Sequence, residues 1–236
     1  MDLLSLKALN RERRNRRAAI LLTELKSDTD RIIREGDTIP GELGEAVKKA
    51  FRTGVSTSVT VDGVAYFLMV ALPKPRLVVI GAVHISQSLA PMAKVAGFDM
   101  EIIDPRTAFA TPERFPDVPL HADWPEPVFS ARPLDPYCAL AAVTHDPKID
   151  DFALKAALDA GCFYVGALGS RKTHAARVQR LLEAGASDEQ IARVHAPIGL
   201  DIGAISPQEI AVAILAEVIQ VFRSRGLGSV EKGRAA

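Results

Sequence analysis

The most constraining feature of this chain is an alternation that begins after residue 73. Apolar runs at Leu77 to Ile80, Tyr137 to Val143 and Cys162 to Leu168, with a further strand at Met100 to Ile103 interrupted by Glu101, take turns with stretches of helical spacing. Those stretches lie at about Ile85 to Ala96, Phe152 to Ala160 and Lys172 to Glu183. A strand apolar on both faces has to be covered on both faces. Strand–helix–strand units then give parallel strands joined by right-handed crossovers. The expected architecture is α/β, a doubly wound parallel sheet, with the C-terminal ends of the strands along one edge where ligands bind in such folds.

The segment before this alternation reads differently. Leu3, Leu4, Leu6 and Leu9 form one helical stripe, and Ala18 to Leu25 reads as a buried strand with Arg31 to Arg34 as its partner. Gly41 to Phe51 has helical spacing and stops at Gly54. Ser56 to Val61 and Val64 to Leu72 flank Asp62-Gly63, a hairpin signal because both residues accept positive φ. The break at Leu72-Pro73-Lys74-Pro75 suggests a small α+β N-terminal domain over 1–72 and an α/β domain over 73–225. A Pro-rich stretch from Thr107 to Arg132 is expected to hold one short strand near Leu120, and helical spacing recurs at Asp188 to Val194. The last helix carries the plainest start signal. Ser206 is its cap, Pro207 its first residue and Glu209 its third, with Ile210, Ile214, Val218 and Val221 facing inward. The tail over 226–236 is expected to be disordered.

Composition narrows the partners. Lys plus Arg and Asp plus Glu are equal at 29 each, so no net field recruits nucleic acid or an anionic membrane. Five arginines between Arg11 and Arg17 read as a solvated helix face. The longest apolar runs, such as Tyr66 to Leu72, are too short to span a bilayer. Cys138 and Cys162 make no disulfide framework and no CxxC pair, which together with the absence of a signal-like N-terminus points to the cytoplasm.

Five polar clusters fall at strand ends or in loops that can meet them. Gly81-Ala82-Val83-His84-Ile85-Ser86 lies where a dinucleotide fingerprint would lie, and Asp104 follows at the distance of a ribose-binding acid. Gly81 can make the tight turn and Ser86 allows close helix packing. Val83, however, puts a branched side chain where a backbone should approach a pyrophosphate, which weakens the case for NAD(P). The helix start is an anion site whatever the fingerprint. His84 sits at that positive end as a neutral donor and acceptor, or simply as a turn residue. Asp104 and Arg106 suggest a polar clamp, with Arg106 a fork for phosphate.

Gly169-Ser170-Arg171-Lys172 is a second anion candidate, against the alternative of a plain turn with solvent-facing cations. His145-Asp146 offers the one candidate acid–base pair. The metal alternative, with His84 and His195, lacks any HxH or HExxH spacing, so no metal is expected. Gly199-Leu200-Asp201-Ile202-Gly203 reads as a loop that could fold over a ligand, giving Gly199, Asp201 and Gly203 as contacts.

Taken together, Gly81 to Ser86, Asp104, Thr144-His145-Asp146, Phe163 to Lys172 and His195 to Ala204 resemble the XdhC/CoxI family of xanthine dehydrogenase accessory factors. Its Rossmann-like domain is matched over roughly 74 to 223. The resemblance implies a maturation factor that binds molybdenum cofactor (molybdopterin or its nucleotide form). It implies help with sulfuration by a cysteine desulfurase and transfer to an apo molybdenum hydroxylase, with a homodimer compatible with that role. Two features depart from the family. Val83 stands for the second glycine of Gly-Ala-Gly-His, and Gly41 to Val47 lacks the cysteine of a Gly-Gly-Cys-Val-Glu motif. The competing readings are an NAD(P)-dependent oxidoreductase using His145 or His84 as proton donor, and a nucleotide-sensing module without chemistry. With both cysteines inside apolar runs and no evident nucleophile–base pair, transfer rather than turnover is the expected activity.

Overall fold

The computed structural model describes residues 3–224. These fall into two compact units, residues 3–73 with residues 223 and 224, and Lys74–Phe222. The tail expected to be disordered lies outside the described residues.

In the first unit, α1 (Leu3–Arg14), β1 (Ala19–Glu24), β2 (Thr29–Arg34), α2 (Gly41–Thr53), β3 (Thr57–Val61) and β4 (Val64–Ala71) follow the expected order. The sheet is antiparallel with order β2-β1-β4-β3. Its apolar side, Ile20, Leu22, Ile33 and Leu68, buries against Val47 and Ala50 of α2. Asp62 and Gly63 take φ of 50° and 76°, the pair a type I′ hairpin requires. The first helix runs on through the arginines to Arg14. Glu12 is buried there and accepts from Arg34 Nε at 3.0 Å.

The second unit holds a six-stranded parallel sheet of order β10-β9-β8-β5-β6-β7. Its strands are β5 (Arg76–Ile80), β6 (Asp99–Ile103), β7 (Leu120–His121), β8 (Cys138–Ala142), β9 (Tyr164–Ala167) and β10 (Val194–His195). The helices α3 (His84–Val95), α4 (Pro125–Ala131), α5 (Pro147–Asp159), α6 (Arg171–Glu183), α7 (Asp188–Ile191) and α8 (Pro207–Ser224) complete it. Alternate residues of β5 serve two cores: Leu77 and Val79 meet α3 and α8, while Val78 and Ile80 meet α5. That two-sided burial is why the strand runs carry no polar alternation.

Three elements differ from expectation. The helix expected to run to Val194 stops at Ile191, because Val194 and His195 pair with Val165 and Gly166 as an edge strand. Helix α5 begins five residues early, since Asp146 caps it and Pro147 fits its first position. Helix α4 forms inside the Pro-rich stretch on the same principle, with Pro125 in its first turn. Among the described residues no helix is long and apolar enough to cross a membrane.

A candidate anion-binding edge

The strand order reverses between β5 and β8, so the turns after these two strands meet at the switch point. Gly81 has φ of 123°, and a Cβ there would lie 3.0 Å from Thr144 Cγ2 and 3.3 Å from the Thr144 nitrogen. Glycine is required, but the backbone it admits is that of the β8–α5 turn. Ser86 Oγ donates to the Gly81 carbonyl at 2.6 Å, tying the helix to its own turn.

Asp104, at the end of β6, is fully buried and fully used. Its Oδ2 accepts from the Ala82 N–H and from Arg106 Nη2, both at 2.8 Å, and its Oδ1 accepts from Arg106 N and Nε, both at 2.9 Å. A carboxylate has about four acceptor positions, so all are taken in this conformation and no lone pair is left for a ribose. Burial alone would raise this carboxyl, but the Arg106 and Ala82 bonds outweigh it and hold it below the ordinary aspartate value. The same pairing raises Arg106, whose guanidinium also lies over the Phe109 ring at 4.9 Å. Arg114 Nη1 donates to the Ala82 carbonyl at 3.0 Å, closing the turn from the opposite side. What stays open is the start of α3. Val83 is its cap residue without a side-chain bond, so the first helical N–H groups lack a side-chain cap, and His84 is exposed beside them.

The expected His145–Asp146 pair does not form a dyad. His145 is exposed with φ of 64°, while Asp146 spends its carboxylate on the Lys148 N–H at 3.0 Å as the cap of α5. Thr144 instead donates to Asp150 Oδ1 at 2.7 Å, and burial pushes the Asp150 carboxyl up to about 6.

Beyond β9, Gly169 takes φ of 136° and Ser170 caps α6 by accepting from the Thr173 N–H. Arg171 and Lys172 project into solvent. Arg177, further along the same helix, is buried and donates Nη2 to the Leu168 carbonyl at 2.8 Å.

The loop after β10 is held firmly at its start. Gly199 donates its N–H to Glu217 Oε2 at 2.8 Å, and a Cβ there would come within 3.0 Å of the Ile214 nitrogen. The same carboxylate accepts from Tyr164 at 2.6 Å and bonds His195 Nδ1 at 2.9 Å, with the His195 and Tyr164 rings stacked at 4.7 Å. These bonds outweigh the effect of burial and hold Glu217 below its ordinary value. Asp201, Ile202 and Gly203 are exposed beyond this anchor.

His84 thus begins α3, His145 lies in the turn after β8 and His195 ends β10. Among the described residues no group of three or more His, Cys, Asp or Glu side chains could hold a metal ion. Cys138 and Cys162 are both buried; the Cys162 thiol is pushed up by its bond to Cys138 and by burial.

Sequence reasoning missed Glu217, Tyr164, Asp150 and Arg177. Glu217 carried a signal, a lone charge inside the apolar stripe of the last helix. Gly166 carried another: a Cβ there would lie 2.6 Å from Tyr164 Oη. Asp150 and Arg177 look like ordinary helix-surface residues in sequence.

A doubly wound sheet with two exposed helix starts and several cations along one edge defines a Rossmann-type domain suited to anionic ligands. The XdhC Rossmann domain family matches residues 77–218, more than half of the chain, and the chain belongs to that family. Three curated relatives match. One is "Uncharacterized protein YqeB" of Escherichia coli (strain K12), 36% identical over 66% of this chain and 29% of that protein. Another is a probable xanthine dehydrogenase subunit of Bacillus subtilis (strain 168), 35% identical over 63% of this chain and 43% of that protein. The third is "Molybdenum cofactor insertion chaperone PaoD" of Escherichia coli (strain K12), 32% identical over 63% of this chain and 41% of that protein. The matched region therefore spans less than half the length of each. The crystal structure of a xanthine dehydrogenase from Bacillus halodurans shares the fold. Its TM-score is 0.64 at 24% identity, over 98% of this chain and 68% of that one.

Proposed function

We infer that this protein is an accessory factor that binds molybdenum cofactor, assists its sulfuration and delivers it to a xanthine dehydrogenase-type molybdenum hydroxylase. The observation that carries this reading is the conjunction of family membership with an edge built for anions. The start of α3 lacks a side-chain cap, Arg106 stands beside it, and Arg171 and Lys172 stand free at the start of α6. These features fit the phosphate end of the cofactor. In this reading the molybdenum is cargo, carried on the cofactor's own dithiolene.

In this reading Gly81, Ser86 and Asp104 are positioning residues. Asp104 presents Arg106 and the Ala82 turn, while His84 and the first N–H groups of α3 face the ligand. Gly169, Ser170, Arg171 and Lys172 take a phosphate, and Gly199, Asp201 and Gly203 line the loop beside it. When bound, the cargo supplies the molybdenum chemistry to the recipient enzyme. Both cysteines are buried, so the sulfur for sulfuration is supplied by a cysteine desulfurase rather than carried here. The setting is cytoplasmic, where an apo-enzyme awaits its cofactor.

The reading is tested by reconstituting an apo molybdenum hydroxylase with cofactor in the presence and absence of the full chain. Faster recovery of activity with the protein is the expected result. Arg171→Ala should weaken cofactor binding by about 1.5–3 kcal/mol, the scale of a hydrogen bond to a charged group, with an unchanged melting temperature. Steady turnover of a nicotinamide with a metabolite, and no effect on reconstitution, would replace this reading with the oxidoreductase one.

A further inference from the structure

The turn between β9 and α6 holds more than its surface shows. Ser170 Oγ satisfies the Thr173 N–H, which leaves the N–H groups of Arg171 and Lys172 at the helix start without that cap. Beneath the turn lies Arg177, only 2% exposed. Its Nη2 reaches the Leu168 carbonyl, immediately before Gly169. Its Nε and Nη1 are buried without a hydrogen-bond partner, and so is Nδ1 of His174, one turn earlier on the same helix face. A buried charged donor left unpaired is costly. Two such atoms on one guanidinium, with an unpartnered ring nitrogen of His174 beside them, call for an acceptor of concentrated negative charge.

We propose that the β9–α6 turn is a terminal-phosphate site. Arg177 Nε and Nη1 grip the phosphate from the core side, while the N–H groups of Arg171 and Lys172 take its remaining oxygens. The proposal rests on the anion reading of Gly169 to Lys172 and adds the residue that selects the kind of phosphate.

Two observations select it. Donors approach from the helix axis, from the solvent-facing cations and from the core. A phosphomonoester, with three free oxygens, can answer all three directions, whereas a diester has only two. Arg177 is also enclosed, so a ligand reaches it only as the turn opens and only with a small terminal group, and the guanidinium fork suits two oxygens of such a group. Asp150 is the opposing group. Its carboxylate attracts Arg177, together with Asp151, which is itself paired with Arg180. Asp150 therefore competes with the phosphate.

The experiment titrates the full chain with AMP, 3′,5′-cyclic AMP and inorganic phosphate by calorimetry. AMP should bind at least ten-fold more tightly than cyclic AMP, and more tightly than inorganic phosphate. Arg177→Met should lose at least ten-fold in AMP affinity, and Asp150→Asn should gain affinity. If Arg177→Met does not fold, the wild-type protein still answers by NMR. The Arg177 Nε–H resonance should move on adding AMP, and the His174 pKa, lowered in the free protein by burial and by Arg177, should rise.

Equal affinity for AMP and cyclic AMP, or binding of inorganic phosphate alone, overturns the assignment to a monoester. An unmoved Nε–H signal, or a folded Arg177→Met with unchanged affinity, overturns the role of Arg177. If Arg171→Ala still weakens AMP binding in that case, the surface anion site survives without it. No binding of any probe by the wild-type chain removes the anion site and the proposal together.

Discussion

Two turns on the same sheet edge look alike in sequence and behave differently in the fold. Each has a glycine after an apolar strand, then small or polar residues, then a helix. After β5, the residues of the turn itself are committed to protein, Gly81 to Thr144, Ser86 to the Gly81 carbonyl and Ala82 to Asp104 and Arg114, and only the start of α3 stays open. After β9, the turn keeps unspent donors, two cationic side chains outside and a buried guanidinium below. The turn that resembles a dinucleotide fingerprint is thus the more self-satisfied of the two. A glycine signature reports that a backbone comes close; it does not report whether that backbone belongs to a ligand or to the protein.

The difference between the turns is most vulnerable at Asp104. Asp104→Ala removes four accepted bonds and strands Arg106 beside a buried hole, so a loss of about 3–5 kcal/mol in denaturant unfolding is expected. A loss below about 1 kcal/mol would mean that the β5–α3 turn is not held from β6. The wild-type carboxyl has a lowered folded pKa. Its contribution is therefore present above the unfolded aspartate pKa and lost as pH falls through the folded one.

Asp150 should show the opposite sign. Burial raises its folded pKa from the ordinary aspartate value to about 6. Stability from this group is full below the unfolded pKa and is lost as pH rises through about 6, by about 3 kcal/mol in all. Unfolding of wild type and Asp150→Asn across pH 4 to 7 checks this: the slope should flatten in the variant. An identical slope would remove Asp150 as its source.

The glycines should separate the two turns further. Gly81→Ala meets Thr144 and Val143 at a φ side chains rarely adopt, and should cost about 2–3 kcal/mol. Gly169→Ala carries a similar φ strain but meets only the Thr173 side chain at 3.2 Å, and should cost less. Thermal melts of both would rank them, and equal losses would contradict the picture of one packed and one open turn. Smallest of all, Ser170→Ala should cost about 1 kcal/mol as a lost cap.

Much of the fold was legible because strands buried on both faces leave unbroken apolar runs. Helix starts announce themselves too, as at Ser206-Pro207 and at Ser170. The edge strand at Val194 and His195 was not legible, since two residues carry no period and their pairing with Val165 and Gly166 is a long-range event. At the candidate site, Gly169, Ser170, Arg171 and Lys172 could be singled out because a glycine, a hydroxyl and two cations in succession have few other uses. Asp104 was correctly placed at a strand end, but its partners were not readable from spacing.

Hydrophobic period and turn chemistry are local properties, so the chain's own pattern set the layer order, the parallel sheet and the edge on which polar residues collect. Which of those polar residues are already spent was settled by the assembled fold. Asp104, Asp146 and Glu217 are committed to backbone N–H groups, and Arg177 is buried with donors to spare. That division depends on which atoms from distant segments come within about 3 Å of one another, and spacing along the chain does not encode those distances.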